Sequence, residues 1–170
     1  MPKLYFTNLP QESQLEGRFA GIDSLTLHTH ILLRKVSAEL ESNLDSYFTQ
    51  YGLSSGRYTL LILLSQAEDG KGMMPSEIAA AVGVTQATIS GLINSLEKAQ
   101  LVTRASHERD GRSFVIQLTP LGKETVDRIT PHYFTRLNEF WSQFADHEKK
   151  ALANMFTKMV NAVGKLGEPL

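Results

Sequence analysis

Between Pro75 and Leu92 the chain places Ile78, Ala79, Val82, Gly83, Val84, Ile89 and Leu92 at spacings that fit two short helices meeting at a tight turn. Each residue type has a mechanical reason to be there. Pro75 suits the first position of a helix, where its missing N–H costs nothing, and Glu77 suits the positive end of that helix's dipole. Ala79 is small enough for a second helix to approach closely, Gly83 admits the positive φ that a sharp turn needs, and the aliphatics seal the angle between the helices. Thr85 is placed to cap the second helix, which the periodicity carries to about Ala99 with Ile89, Leu92, Ile93 and Leu96 inward. The positions left outward are Thr85, Gln86, Thr88, Ser90, Asn94 and Ser95, uncharged hydrogen-bonding groups of the kind that contact base edges or phosphates in a major groove. The same glycine and aliphatics would also serve a structural αα-corner, so the two helices alone do not decide between the readings.

The next segment favours nucleic acid. Leu101 to Arg104 and Ser113 to Leu118 are β-rich runs on either side of a polar turn from His107 to Gly111, a pattern that predicts a hairpin. A hairpin directly after the second helix, carrying Arg104, His107, Arg109 and Arg112, reads as a wing whose basic side chains reach phosphates or the adjacent minor groove.

Helices flank this unit. Apolar residues from Ile22 to Gln50 (Leu25, Ile31, Leu32, Val36, Leu40, Leu44, Tyr47, Phe48) recur every three or four positions, and Gly52 ends the pattern. Ser54 offers an N-cap for a helix whose Tyr58 and Leu60 to Leu64 are apolar nearly all round, which predicts burial; Glu68 to Gly72 then closes it with a turn. From Pro120 a long helical pattern runs through Val126, Ile129, Phe134, Leu137, Phe140, Trp141 and Phe144, with a kink expected at Pro131. Asp146 is expected to cap a last helix with an apolar stripe of Leu152, Met155, Phe156, Met159, Val160 and Val163. The fold class is mainly α with a small β-hairpin wing: a winged helix-turn-helix lobe plus a helical dimerisation region drawn from both chain ends. The expected boundaries are a tail at 1–20, a dimerisation helix at 21–52, the winged lobe at 53–119, C-terminal dimerisation helices at 120–165 and a tail at 166–170. The end helices carry more apolar surface than one small domain needs, so a homodimer is expected.

Composition narrows the function. In 170 residues with 42% apolar content there is enough for one core and no cysteine, which excludes disulfides, thiolate metal sites and cysteine nucleophiles. No run of about 18 apolar residues predicts a membrane span, and Met1 to Ala20 lacks the basic start and continuous apolar stretch of a secretory signal, so a cytoplasmic protein without membrane contact is expected. No nucleophile elbow, phosphate-binding loop or metalloprotease motif is present, and no enzyme and no cofactor are expected. His28 and His30, two apart, fall on different faces of a helix, and His107, His132 and His147 form no recognisable ligand set, so no metal site is expected. The net charge of -1 and pI of about 6.5 stand below the basic balance usual for a nucleic-acid module. Thr85 to Leu118 sets Lys98, Arg104, Arg109 and Arg112 against Glu97, Glu108 and Asp110, so binding should be modest, salt-sensitive and multiplied by dimerisation. A winged helix used for protein–protein contact and a metal-responsive regulator are the alternative readings.

The order of elements and three stretches, Leu96-Glu97-Lys98-Ala99-Gln100-Leu101-Val102-Thr103-Arg104, Glu108-Arg109-Asp110-Gly111-Arg112 and Gln117-Leu118-Thr119-Pro120-Leu121-Gly122, resemble the MarR family of transcriptional regulators. The resemblance runs from about Ile22 to Val163, and the last helices, with Pro131-His132 and Leu137 to Trp141, are similar to the subgroup that represses multidrug-efflux operons. It implies a homodimer that presents one winged helix to each half of a pseudopalindromic duplex operator, repression as the usual mode, and an ion pair between Asp110 and Arg112 that fixes the wing. It also implies release by a small aromatic or phenolic ligand held by faces that map onto His30, Arg34, Tyr51, Arg57 and Tyr58. Two positions depart from the family pattern. Gly111 stands where many members carry the arginine that enters the minor groove, which leaves that contact to Arg109, and Gln100 stands where a glycine usually ends the recognition helix. Gln100 is therefore expected in a left-handed conformation at a cost of about 1 kcal/mol.

Overall fold

The computed structural model describes residues 23–67, 71–107 and 110–167, with only the backbone described at 107 and 110–113. The chain divides into two compact units, one up to Lys123 and one from Glu124.

The first unit begins with α1, Ser24–Thr49. Asp23 caps it: the carboxylate accepts from the Leu25 and Thr26 amides and, at 2.7 Å, from the Thr26 hydroxyl. The hydroxyl and then the amide of Thr26 hold this exposed carboxyl below the ordinary carboxylate range. The helix ends at Gly52, whose φ is 72°. Gly52 N–H donates to Thr49 O at 2.9 Å and Leu53 N–H to Phe48 O at 3.1 Å, the paired bonds of a Schellman stop, with Phe48 and Leu53 both buried as its apolar contact. Ser54 then caps α2, Ser55–Ser65, by accepting from the Arg57 amide. Tyr58, Leu60, Leu61 and Leu64 of α2 are buried, and the Tyr58 ring stacks on Phe48 at 4.3 Å.

Helices α3, Pro75–Val82, and α4, Gln86–Lys98, meet at 113°, within the range of a helix-turn-helix. Gly83 turns the chain with φ 74°, and the Ala79 carbonyl accepts from both Gly83 and Val84. Glu77 does more than complement a dipole, because its carboxylate accepts from the Met74 amide at 2.8 Å and so satisfies a group at the helix entrance. Ile78, Ile89, Ile93 and Leu96 are buried with Leu60, Leu61 and Ile116 in the core of this unit, each aliphatic contributing on the order of 2 kcal/mol.

Strands β1, Val102–His107, and β2, Asp110–Leu118, pair antiparallel in register from Val102↔Leu118 to Ser106↔Phe114. Met73 adds a bridge to Ile116, with bonds of 3.0 and 2.8 Å. Its neighbour Gly72 has φ 77°, and a Cβ there would lie 2.4 Å from Ile116 O. The residues 68–70 of the expected turn lie outside the described residues.

Gln100 is left-handed, with φ 59°, as expected for the residue that ends α4. Its amide donates to Glu97 O at 2.9 Å and that of Leu101 to Leu96 O at 3.0 Å, a second Schellman stop with Leu96 and Leu101 buried. The Gln100 carbonyl accepts from the Thr119 hydroxyl at 2.7 Å, and that oxygen in turn accepts from the Gly122 amide at 3.0 Å. Thr119 therefore caps α5, Pro120–Trp141, while holding the end of α4. The Thr119 amide also donates to Leu101 O at 3.1 Å.

The second unit contains the remainder of α5, then α6, Asp146–Ala162, and a 3₁₀ turn, Val163–Gly167. Helix α5 continues as one element through Pro131. The cap of α6 differs from the expectation at Asp146: Ala145 occupies the cap position, and Glu148 accepts from its amide at 2.8 Å. Asp146 is the first helical residue and pairs with Lys149 at 3.1 Å. The acid three residues into the helix can reach back to the cap amide, whereas Asp146 has already entered the helix. Val126 and Ile129 are buried, while Phe134, Phe140, Met155, Phe156, Val160 and Val163 are exposed in the single chain.

A Cβ on Gly122 would stand 2.0 Å from Leu101 O, so Gly122→Ala should force the start of α5 away from the end of α4. The expected loss is on the order of 2 kcal/mol, read as a fall of several degrees in melting temperature. An unchanged melting curve would contradict the close approach.

Candidate nucleic-acid interface

The outward face of α4 starts at its cap. Thr85 Oγ1 accepts from the Thr88 amide at 3.2 Å and lies 2.9 Å from the Thr88 hydroxyl, so both hydroxyls are tied to the helix entrance. Ser90 donates its hydroxyl to Gln86 O at 2.8 Å, which leaves its lone pairs to accept. Thr85, Gln86, Thr88, Ser90 and Asn94 are all exposed, whereas Ser95 turns partly inward. Between Ser90 and Asn94 lies Gly91, with nothing within 4 Å of where its Cβ would be. The centre of the face is thus bare backbone, a feature that sequence reasoning passed over.

Arg104 lies on β1, but its guanidinium turns back to α4. Nη2 donates to Asn94 Oδ1 at 2.8 Å and stands 3.5 Å from Glu97 Oε2, and the group sits 5.1 Å over the Phe114 ring. Both members of the ion pair are more than two-fifths exposed, so the pair itself adds little stability. Its consequence is positional: the hairpin is joined to α4. The expectation had Arg104 reaching for phosphate along with the other wing arginines. Glu97 and Phe114 were not singled out, although the register places Phe114 diagonally across from Arg104, whose direct partner is Ile116, and Glu97 follows Asn94 by three residues on the helix surface.

Arg109 lies outside the described residues, as do the side chains of His107, Asp110 and Arg112, and with them the expected Asp110–Arg112 ion pair. Of the residues assigned to a small ligand, His30 and Arg34 are exposed on α1. Tyr51 is half-buried, its hydroxyl 3.4 Å from that of Tyr47. Arg57 is half-buried and its Nε donates to Ser54 Oγ at 3.4 Å. Tyr58 does not join them as a free ring: it is 3% exposed and stacked on Phe48, where the buried face of α2 requires an aromatic filler. Among the described residues no three histidines or acids converge as metal ligands.

This arrangement has relatives. Residues 51–113, from the end of α1 through most of the hairpin, match the MarR family. Over 142 residues the chain is 33% identical to the HTH-type transcriptional repressor YetL of Bacillus subtilis (strain 168), which covers 84% of this chain and 82% of that one. The chain belongs to the MarR family. It is a winged-helix transcriptional regulator of that family, and its relatives are regulators rather than enzymes. The MarR-family regulator AbsC from Streptomyces coelicolor has the same fold, with a TM-score of 0.78 and 24% identity over 86% of this chain and 99% of that one. The crystal structure of the S. aureus MepR–DNA complex contains a chain similar to this one, with a TM-score of 0.70 and 26% identity over 77% of this chain and 95% of that one.

Because the position is open and lies inside a helix, Gly91→Ala should raise stability by up to about 1 kcal/mol. Urea denaturation reads the change; a loss instead of a gain would mean that the middle of the α4 face is occupied.

Proposed function

We propose that this MarR-family regulator binds a pseudopalindromic duplex operator as a homodimer and represses transcription. The observation that carries the proposal is the face of α4, where uncharged donors and acceptors surround a bare backbone position beside the hairpin. A helix with that face fits a major groove, whose base edges are read by such groups. The dimer is supported at both ends of the chain. Leu25, Leu32, Leu33, Val36 and Leu40 of α1 are exposed, and so are Phe134, Phe140, Met155 and Phe156 of the second unit; a second copy would bury both sets. Repression follows the named activity of YetL, and DNA engagement follows the MepR complex.

The test is binding of the full-length protein to the DNA upstream of its own coding sequence and to random duplex at several salt concentrations. Preference for the upstream duplex on the order of a thousandfold is expected, with the logarithm of the affinity falling linearly with log salt. Equal, weak, salt-insensitive binding to both would refute it and make a protein partner the leading reading.

We also propose that a small aromatic or phenolic anion releases the DNA, with Arg57 holding its acidic group near Tyr51; His30 and Arg34 stand more than about 20 Å away along α1 and would reach such a ligand only from the second copy. A half-buried guanidinium is worth more to a carboxylate than an exposed one, since less water competes for it. Arg57→Ala should reduce release by a hydroxybenzoate severalfold while changing DNA affinity by less than about twofold, as no more than about 0.5 kcal/mol is expected away from the DNA-facing helix. Unchanged release in that variant would remove Arg57 from the site.

A further inference from the structure

We infer that Arg104 is a positioning residue for base recognition: by holding the oxygen of Asn94 it makes that side chain a donor-only reader, selecting guanine over adenine. The inference rests on α4 being the recognition helix, as proposed above.

A free carboxamide presents one acceptor and one two-hydrogen donor, and adenine is its natural partner because N6–H donates and N7 accepts in the same plane. Asn94 is not free. A guanidinium has no acceptor, so the Asn94 atom 2.8 Å from Arg104 Nη2 has to be its oxygen. That bond sets the amide flip, and planarity places the two N–H groups on the opposite side of Cγ. Turning the oxygen to a base would break a charge-assisted bond, the stronger kind. The guanidinium is itself steadied by Glu97 at 3.5 Å and by the Phe114 ring at 5.1 Å, so it does not follow Asn94 freely. What remains for the groove is a pair of hydrogens. Guanine offers O6 and N7, two neighbouring acceptors, whereas adenine sets its N6–H₂ donor against a donor. Asn94 is exposed on the face that would meet the groove, one helical turn along from Ser90.

Selection of full-length protein from a randomised duplex pool tests this, followed by affinity measurements on single-base variants of the consensus. The wild type should require guanine at one symmetric pair of positions, and Asn94→Ala should erase that requirement, which locates the contact. Asn94→Asp, which keeps an acceptor for Arg104 but loses the outward donor, should erase it too. Arg104→Met, which keeps an unbranched stem but removes the charge and the donors, should let adenine gain on the order of tenfold at that pair. It should leave the salt slope unchanged and add nothing there in an Asn94→Ala background. If Arg104→Met instead weakens all sequences alike and lowers the salt slope by about 1, Arg104 is a phosphate contact; the inference fails and the DNA reading stands. If Asn94→Ala changes no base preference, the inference also fails. A wild type that selects no consensus would overturn the DNA reading, and the inference with it.

Discussion

The close approach of Leu101 and Gly122 is the constraint on which the DNA-facing half of the molecule depends. Three elements leave from this point: α4 ends at Gln100, β1 starts at Val102, and α5 starts at Pro120 immediately after β2. One threonine joins them. Thr119 donates its hydroxyl to Gln100 O and its amide to Leu101 O, and its hydroxyl oxygen accepts from Gly122 N. Each bond alone contributes about 1 kcal/mol, but together they fix where the hairpin emerges relative to the recognition helix. Only a residue without Cβ fits at Gly122, because the Leu101 carbonyl already occupies that space. The left-handed Gln100 is the cost of the arrangement, offset by two Schellman bonds and the burial of Leu96 and Leu101.

Much of this was legible from residue types with a single physical use. Gly52 marked a helix end, Gly83 marked positive φ, Ser54 and Thr85 marked caps, and the inward spacing of Ile89, Ile93 and Leu96 marked the core face of α4. Gln100 was legible for the opposite reason, as a residue with a side chain where the helix stop needs a left-handed turn. What escaped depends on which of several possible partners a long side chain finds. Arg104 could extend to solvent or fold onto α4, and only the twist and register of the hairpin bring it over Phe114 to Asn94. Glu148 rather than Asp146 satisfies the entrance of α6 because the helix starts one residue earlier than the acid pattern suggested. Tyr58 carries a polar hydroxyl that fits a ligand site on paper, but its ring is claimed by Phe48 in the core. Gly72 read as part of a turn, and the reason for glycine there is a strand pairing at Met73, distant in sequence from Ile116.

The electrostatic balance gives the protein a particular style of recognition. With a net charge of -1, long-range attraction of the whole protein to phosphate is weak, so on the proposed reading the salt-sensitive share of the affinity has to come from local cations such as those of the hairpin. If α4 reads DNA in a homodimer, as proposed, discrimination rests on hydrogen-bond geometry along α4 and on two copies acting together. Both demand rigidity. Helix α4 is capped at one end by Thr85, stopped at the other by Gln100, and braced along its C-terminal half by Arg104, so its polar groups are presented in a defined order.

The measurement that bears most directly on this reading is chemical probing of guanine N7 methylation on the upstream duplex, with and without the full-length protein. N7 lies in the major groove, where α4 is expected to sit. Protection in two patches with centres about one helical turn apart is the predicted result, as two recognition helices of a homodimer would produce. Binding without protection at N7, or with protection in one patch only, would contradict a dimer that reads the major groove through α4.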